Sequence, residues 1–131
     1  MHRMKLRIKD NSIRFRLLRT EVQTLAEEGR IESHTLLCAS DPAGRLSYSI
    51  EHGIHYKAIA AEQDGLSIRV TAPTEDIVAW ARDNSAVGLY AKQAVYGGEM
   101  LQITIEKDFA CLDRNDADNI DTFDNPNAKH C

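Results

Sequence analysis

Basic side chains recur at every second position near the start of the chain, and they are the residues best suited to chemistry. The residues between them are mostly apolar, so each of the two runs predicts a half-buried β-strand. With Asp10 and Asn11 as a two-residue turn, Arg7 lies opposite Arg14 and Lys5 lies opposite Arg16. Ammonium and guanidinium groups on one exposed face can bind phosphate or carboxylate groups. The five residues of this predicted surface are Lys5, Arg7, Lys9, Arg14 and Arg16.

Like charges directly opposite each other destabilise a strand pair, so the charges of this surface need either a neutralising group or exposure to solvent. Acidic side chains elsewhere in the chain, namely Glu62, Glu106, Asp108 or those of the C-terminal tail, could supply it. An acidic protein or a small anion could bind there instead, or the charges could simply keep a strand edge soluble. Nucleic acid is disfavoured, because the net charge is −4 and no aromatic residues alternate with the basic ones. We expect a binding or interaction module whose basic hairpin meets acidic groups of its own tail or of a partner.

A metal- or thiol-dependent protein is the alternative, and it would use Cys111 with His130 and Cys131. Cysteine and histidine are ligands for a transition metal such as zinc, but no CxxC pair supports such a site here. The main expectation is therefore that no cofactor is bound. The sequence contains no glycine-rich phosphate loop, no nucleophile elbow and no HExxH motif, so we assign no catalytic residue and disfavour enzymatic activity.

Length and composition favour one globular domain. The chain has 131 residues, of which 43% are hydrophobic, and this excludes wholesale disorder. No apolar stretch is long enough for a signal peptide or a membrane-spanning helix. Three cysteines at wide spacing do not form a disulfide framework. We therefore expect a cytoplasmic protein without membrane contact, whose oligomeric state the sequence leaves open.

Hydrophobic periodicity predicts the element order β-β-α-β-β-β-β-α-β-β. Short turns between consecutive strands favour an α+β fold with a mainly antiparallel curled sheet, or a small barrel, of about eight strands with two short helices. Thr20 is the predicted N-cap of a helix over about 21–28. An Asp64-Gly65 turn predicts that Ala61 pairs with Ile68. No internal repeat is visible in the sequence.

The hydrophobic pattern stops after Leu112, which sets the predicted domain at residues 1–112. Residues 113–131 then form an acidic C-terminal tail that we expect to be flexible, with Ile120 and Phe123 as hydrophobic anchors. Charge is unevenly distributed along the chain. Residues 1–19 carry a net +6, whereas residues 112–131 carry a net −3. This complementarity makes the tail a candidate to fold back onto the basic hairpin.

Four segments of the chain carry a resemblance: the stretch from Met4 to Leu17, Glu21-Val22 with Leu25-Ala26, the stretch from Ile105 to Leu112, and Asn125-Pro126. In these segments the chain resembles a family of small uncharacterised bacterial proteins. The resemblance spans nearly the whole chain. It implies a single-domain bacterial protein that belongs to a domain family of unknown function, and it assigns no catalytic or binding residue.

Overall fold

A computed structural model describes residues 4–110 and 120–124 of the chain. These residues form eight strands and two helices in the predicted order, followed by residues 120–124, which contain one short bridge to Phe109. The strands are β1 (Lys5–Lys9), β2 (Ser12–Leu17), β3 (Arg30–Leu36), β4 (Arg45–Gly53), β5 (Ala60–Asp64), β6 (Ser67–Pro73), β7 (Gly88–Ala94) and β8 (Met100–Lys107). The helices are α1 (Arg19–Glu28) and α2 (Thr74–Arg82), and a short 3₁₀ turn (Tyr96–Gly98) connects β7 to β8.

The eight strands form two mixed four-stranded sheets. Sheet A has the order β1-β2-β8-β7 and sheet B has the order β3-β4-β6-β5. In each sheet the two central strands are parallel, while both outer pairs are antiparallel. The predicted α+β class with eight strands and two helices is confirmed, but the strands do not close into a barrel. Among the described residues, no helix is long and apolar enough to cross a membrane.

One hydrophobic core lies between the two sheets and the two helices. Phe15 and Ile105 of sheet A and Ile50 and Val70 of sheet B are fully buried in it. The core residues occupy alternate positions on each strand, because successive side chains point to opposite faces of a sheet. The helices add their own buried stripes, which consist of Val22, Leu25, Ile77 and Trp80.

The N-terminus of α1 differs from the prediction. The helix begins at Arg19, and the N-cap is Leu18, whose backbone N–H donates to Glu21 Oε1 at 2.9 Å. Thr20 does not cap the helix, because its own N–H donates to the carboxylate of Asp121. The acceptor for this backbone N–H is therefore 101 positions away in the chain, whereas a local capping residue was expected to supply it.

The β5–β6 hairpin has a register two positions away from the predicted one. Ala61 pairs with Val70 instead of Ile68. The turn is formed by Gly65 and Leu66, and Gly65 has a φ of +58°, a conformation that glycine adopts at low cost. A shift of two residues keeps every side chain on its predicted face, so the apolar side of β5 still faces the core.

The two halves of the chain repeat one arrangement, although no repeat was predicted. β1, β2, α1, β3 and β4 correspond in order to β5, β6, α2, β7 and β8, and each sheet combines one hairpin from each half. The central parallel pairs align in the same way, since Leu17 lies beside Lys107 and Ala72 lies beside His52. The sequence trace is short: Ser12-Ile13-Arg14 recurs as Ser67-Ile68-Arg69. The fold is therefore a ββαββ unit present twice.

Residues 120–124 of the predicted tail pack on the domain. Phe123 is only 6% exposed and belongs to the hydrophobic core. Its backbone N–H donates to the carbonyl of Asp108 at 2.9 Å, and its carbonyl accepts from Ala110 at 2.7 Å. Ile120, the other expected anchor, is 67% exposed. Phe123 is therefore buried as an anchor of the tail, as expected. The boundary at residue 112 and the flexibility of the tail stay predictions for the residues outside the described ranges.

Candidate functional site

The five basic residues predicted as a binding surface lie together on the outer face of sheet A. β1 and β2 pair with Lys5 opposite Arg16 and Arg7 opposite Arg14, which is the predicted register. The intervening Phe15 and Leu17 point into the core and are fully buried. We call the surface formed by the side chains of Lys5, Arg7, Lys9, Arg14 and Arg16 the basic face.

Glu106 neutralises the two arginines of β2. It lies on β8 beside Arg16, where the two strands run parallel. The Nε atoms of Arg14 and Arg16 both donate to Oε1 of Glu106, the second over 3.0 Å. The Glu106 side chain is only 10% exposed, so these charge-assisted hydrogen bonds are partly shielded from water. One carboxylate thereby offsets the repulsion between two neighbouring guanidinium groups.

Asp108 provides a similar contact at the end of the face near α1. Lys5 Nζ lies 3.3 Å from Asp108 Oδ2, and the Asp108 side chain is 3% exposed while that of Lys5 is 52% exposed. Two of the acidic residues considered from the sequence therefore do meet the basic face. Glu62, the third, pairs with Arg69 on sheet B instead.

Arg7 and Lys9 form the part of the basic face that has no such neighbour. Both side chains are exposed, and neither has an ion pair or a side-chain hydrogen bond with any other residue that the structure describes. The residue of β7 that lies in line with Arg7 across the sheet is Tyr90, and the residue in line with Lys9 is Lys92. Tyr90 is 64% exposed. This end of the surface therefore offers exposed positive charge on β1, while the exposed ring of Tyr90 lies on β7 at the opposite edge of the sheet.

Tyr90 and Lys92 were missed in the sequence analysis. The signal for them was available, because alternation along the last hairpin places both on the face opposite to Leu89 and Ala91. What the sequence could not show is that β7 belongs to the same sheet as β1. That placement depends on the parallel pairing of β2 with β8, which joins segments about 90 residues apart.

The described part of the tail does not lie on the basic face. Asp121 accepts hydrogen bonds from the Thr20 side chain and backbone, and its carbonyl accepts from the Arg19 N–H at 2.8 Å. A carboxylate at this position is also stabilised by the positive end of the helix dipole of α1. Phe123 lies below the Arg19 guanidinium, 4.7 Å from the ring centre. This segment is therefore a structural cap of α1.

The metal alternative concerns residues that the structure does not describe. Cys111, His130 and Cys131 all lie outside the described ranges, so that hypothesis stays a prediction. Within residues 4–110 and 120–124, no three His, Cys, Asp or Glu side chains form a group that could hold a metal ion. Cys38, in the loop after β3, is an exposed free thiol.

Two basic side chains that the sequence analysis did not assign sit at the C-terminal ends of the helices. Lys107 is 2% exposed, and its Nζ donates to the carbonyl of Asp83 at 2.6 Å after α2. His52, at the equivalent position of the other half, contacts the carbonyl of Ala26 in α1 at 3.2 Å. The positive charge of Lys107 at the C-terminus of α2 is favourable. Burial nevertheless holds the pKa of Lys107 below its ordinary value of 10.5, although the nearby Asp83 partly opposes this.

A cleft of about 410 Å³ runs between α1 and α2. Its floor consists of small apolar side chains such as Ala26 and Ala81, and Arg19 and Arg82 stand at its rim. No residue of the basic face lines this cleft, so the two are separate surfaces.

Comparison with known proteins gives a family and no function. The model of one family, described as a family of unknown function (DUF7009), matches residues 4–127. No curated protein and no solved structure is detectably similar to the chain.

Proposed function

The chain belongs to the DUF7009 family, a family of unknown function, and from this premise we propose that it is a binding module whose basic face meets acidic groups of a partner. The partner is an acidic protein or a small anion. The chain's own acidic tail is the alternative occupant, and the experiment below separates the two. The proposal includes no catalytic step and no cofactor.

The observation that carries the proposal is the unbalanced charge of Arg7 and Lys9. On sheet B the corresponding outer face is balanced, since Arg69 pairs with Glu62 and Arg30 lies 2.9 Å from Glu32. On sheet A, Glu106 and Asp108 engage three of the five basic residues, and Arg7 and Lys9 remain exposed. Exposed positive charge that the described fold does not use is available to steer and hold an acidic partner.

We further propose that the protein works in the bacterial cytoplasm. The exposed thiol of Cys38 supports this placement, because free cysteines persist in a reducing compartment. The resemblance to small bacterial proteins points to the same origin. Fractionation of the native host, followed by detection of the protein with an antibody, tests the placement, and recovery from a membrane or secreted fraction would contradict it.

Binding of a fluorescent oligoglutamate peptide tests the proposed function. We expect R7E/K9E to weaken binding by at least about tenfold at low salt, which corresponds to ~1.4 kcal/mol. The matched control is R45E/K57E, which makes the same change in net charge at two exposed residues away from the basic face. It should change the affinity by less than about threefold. Equal losses in both variants, or no binding by the unaltered protein, would overturn the proposal.

The role of the tail needs a variant that leaves the core intact. Deleting residues 113–131 would remove Phe123 from the core and Asp121 from the end of α1. D113N/D116N/D118N instead removes tail charge only. If the partner is external, this variant binds oligoglutamate as the unaltered protein does. A gain of about tenfold or more would show that the tail itself occupies the basic face.

A further inference from the structure

The two seams between sheet A and sheet B differ, and the difference concerns β1. At the seam between β5 and β7, the side chain of Gln93 bridges the sheets. Its Oε1 accepts from the Ala61 N–H at 2.6 Å, and its Nε2 donates to the Ala61 carbonyl at 3.0 Å. The amide group thus makes the same pair of hydrogen bonds that a neighbouring strand would make.

The seam between β1 and β3 has no equivalent bridge among the described residues. Thr35 of β3 occupies the position that Gln93 occupies in β7, and it is exposed. A link exists only near the start of β1, where the Tyr48 hydroxyl donates to the Met4 carbonyl at 3.2 Å. No backbone hydrogen bond joins the outer edge of Lys5–Lys9 to another described segment. Within residues 4–110 and 120–124, nothing pairs with the outward-facing peptide N–H and C=O groups of this edge.

The side chains along this edge alternate in chemistry. Lys5, Arg7 and Lys9 point to the outer face, whereas Leu6 and Ile8 point to the inner face. Ile8 is 58% exposed although it is on the core side of the sheet. Leu37 directly follows β3, the strand on the other side of this seam, and it is 62% exposed. An unpaired edge thus has positive charge on one side and uncovered apolar surface on the other.

We propose that an extended acidic peptide segment of the partner adds to β1 as a fifth strand of sheet A. Its acidic residues occupy every second position, opposite Lys5, Arg7 and Lys9, and its apolar residues lie between them and cover Ile8. Backbone hydrogen bonds to the free edge provide the affinity, and the alternating side chains provide the specificity. This inference rests on the proposed function and defines the partner and its binding mode.

Charge complementarity assigns the strand to β1 and not to β3, the other edge of the open seam. The outward residues of β3 are Arg30, Glu32, His34 and Leu36, which do not form a row of one sign, and Arg30 already pairs with Glu32. An alternating acidic strand would gain little from them. β1 alone combines a free edge with a uniform row of positive charge.

A pair of peptides of equal charge tests the binding mode. The first is Glu-Val-Glu-Val-Glu-Val-Glu, and the second has the same sequence with N-methyl groups on the valine nitrogens, which removes donors needed for strand pairing. We expect the first to bind the full-length protein about tenfold more tightly, because several backbone hydrogen bonds are lost in the second. We also expect its binding to slow hydrogen exchange in Lys5–Lys9.

Two protein variants add a control for the apolar contact. I8K should weaken binding of the first peptide about fivefold, whereas L66K, at a leucine of similar exposure in the β5–β6 turn, should leave it unchanged. If both peptides bind equally and R7E/K9E weakens both, the basic face binds acidic groups without strand addition, and the inference fails while the proposed function stands. If neither peptide binds, both fail.

Discussion

The two sheets have the same strand arrangement but different outer surfaces. Their inner sides are equivalent, since Ile50 of sheet B and Ile105 of sheet A are both fully buried. On sheet A the outer face has a row of positive charge. On the outer face of sheet B, Arg30 and Arg69 both contact a glutamate. The comparison shows that packing constrains the inner positions of this fold, while the outer positions are free to acquire a function.

The contrast extends to the edges of the sheets. One seam is bridged by Gln93, and no residue that the structure describes bridges the equivalent seam at β1 in this way. An unbridged edge would be an aggregation hazard if it were apolar on both sides, and the lysines of β1 reduce that hazard. The same lysines favour one class of partner, since an acidic strand is the one that they attract.

The largest difference between the outer faces of the two sheets should be in the free energy of unfolding that is lost when Glu106 or Glu51 is replaced. E106Q removes the countercharge of Arg14 and Arg16 in a shielded position and should lower the free energy of unfolding by about 2 kcal/mol. E51Q, at the equivalent position on sheet B, should cost less than about 1 kcal/mol, because Arg30 is 3.7 Å away and half-exposed. Urea denaturation measures both values. Equal losses would mean that the two faces are not electrostatically different.

Substitutions at the two seams between the sheets should differ less in their effect on the free energy of unfolding. Q93A removes two hydrogen bonds to Ala61 and should lower the free energy of unfolding by about 1 kcal/mol. T35A changes the equivalent residue at the open seam and should have an effect within about 0.5 kcal/mol of zero. Hydrogen exchange at the Ala61 amide should also accelerate in Q93A only. A larger loss in T35A would show that the seam at β1 is closed in solution.

The smallest effect concerns the basic residues at the helix ends. Burial lowers the pKa of Lys107 in the folded protein below 10.5. Between the folded and unfolded pKa values the unfolded chain binds more protons, so the contribution of Lys107 to stability becomes more favourable as the pH rises through that window. K107M should remove this component. Denaturation at pH 7.5 and 10.5 should therefore show a difference between the unaltered protein and K107M that shifts toward the unaltered protein at the higher pH. A difference independent of pH would contradict the account.

Local patterns predicted the elements well, and long-range contacts explain most of the errors. The register of the first hairpin follows from alternation together with the turn at Asp10 and Asn11, because a slip of one residue would expose Phe15 and Leu17. The acceptor for the Thr20 N–H at the start of α1 could not be predicted, since Asp121 comes from the other end of the chain. The duplication was missed because it preserves topology and buried positions more than sequence. Ser-Ile-Arg is the clearest shared tripeptide.

The candidate site shows the same limit. Alternation and the turn brought the five basic residues to one face, but their surroundings depend on β8 and β7, which join the sheet through a parallel pairing distant in sequence. Glu106 and Asp108 were among several acidic residues that could have met the basic face. Only the fold distinguishes them from Glu62, which lies on the other sheet.

The most direct measurement for the central claim is a map of backbone amide chemical shifts during titration with oligoglutamate at low salt. The account predicts saturable shifts concentrated in β1 and β2, with the largest at Arg7 and Lys9, and small shifts in sheet B. Shifts spread evenly over both sheets, or concentrated in the cleft between α1 and α2, would contradict the claim that the basic face is the binding site.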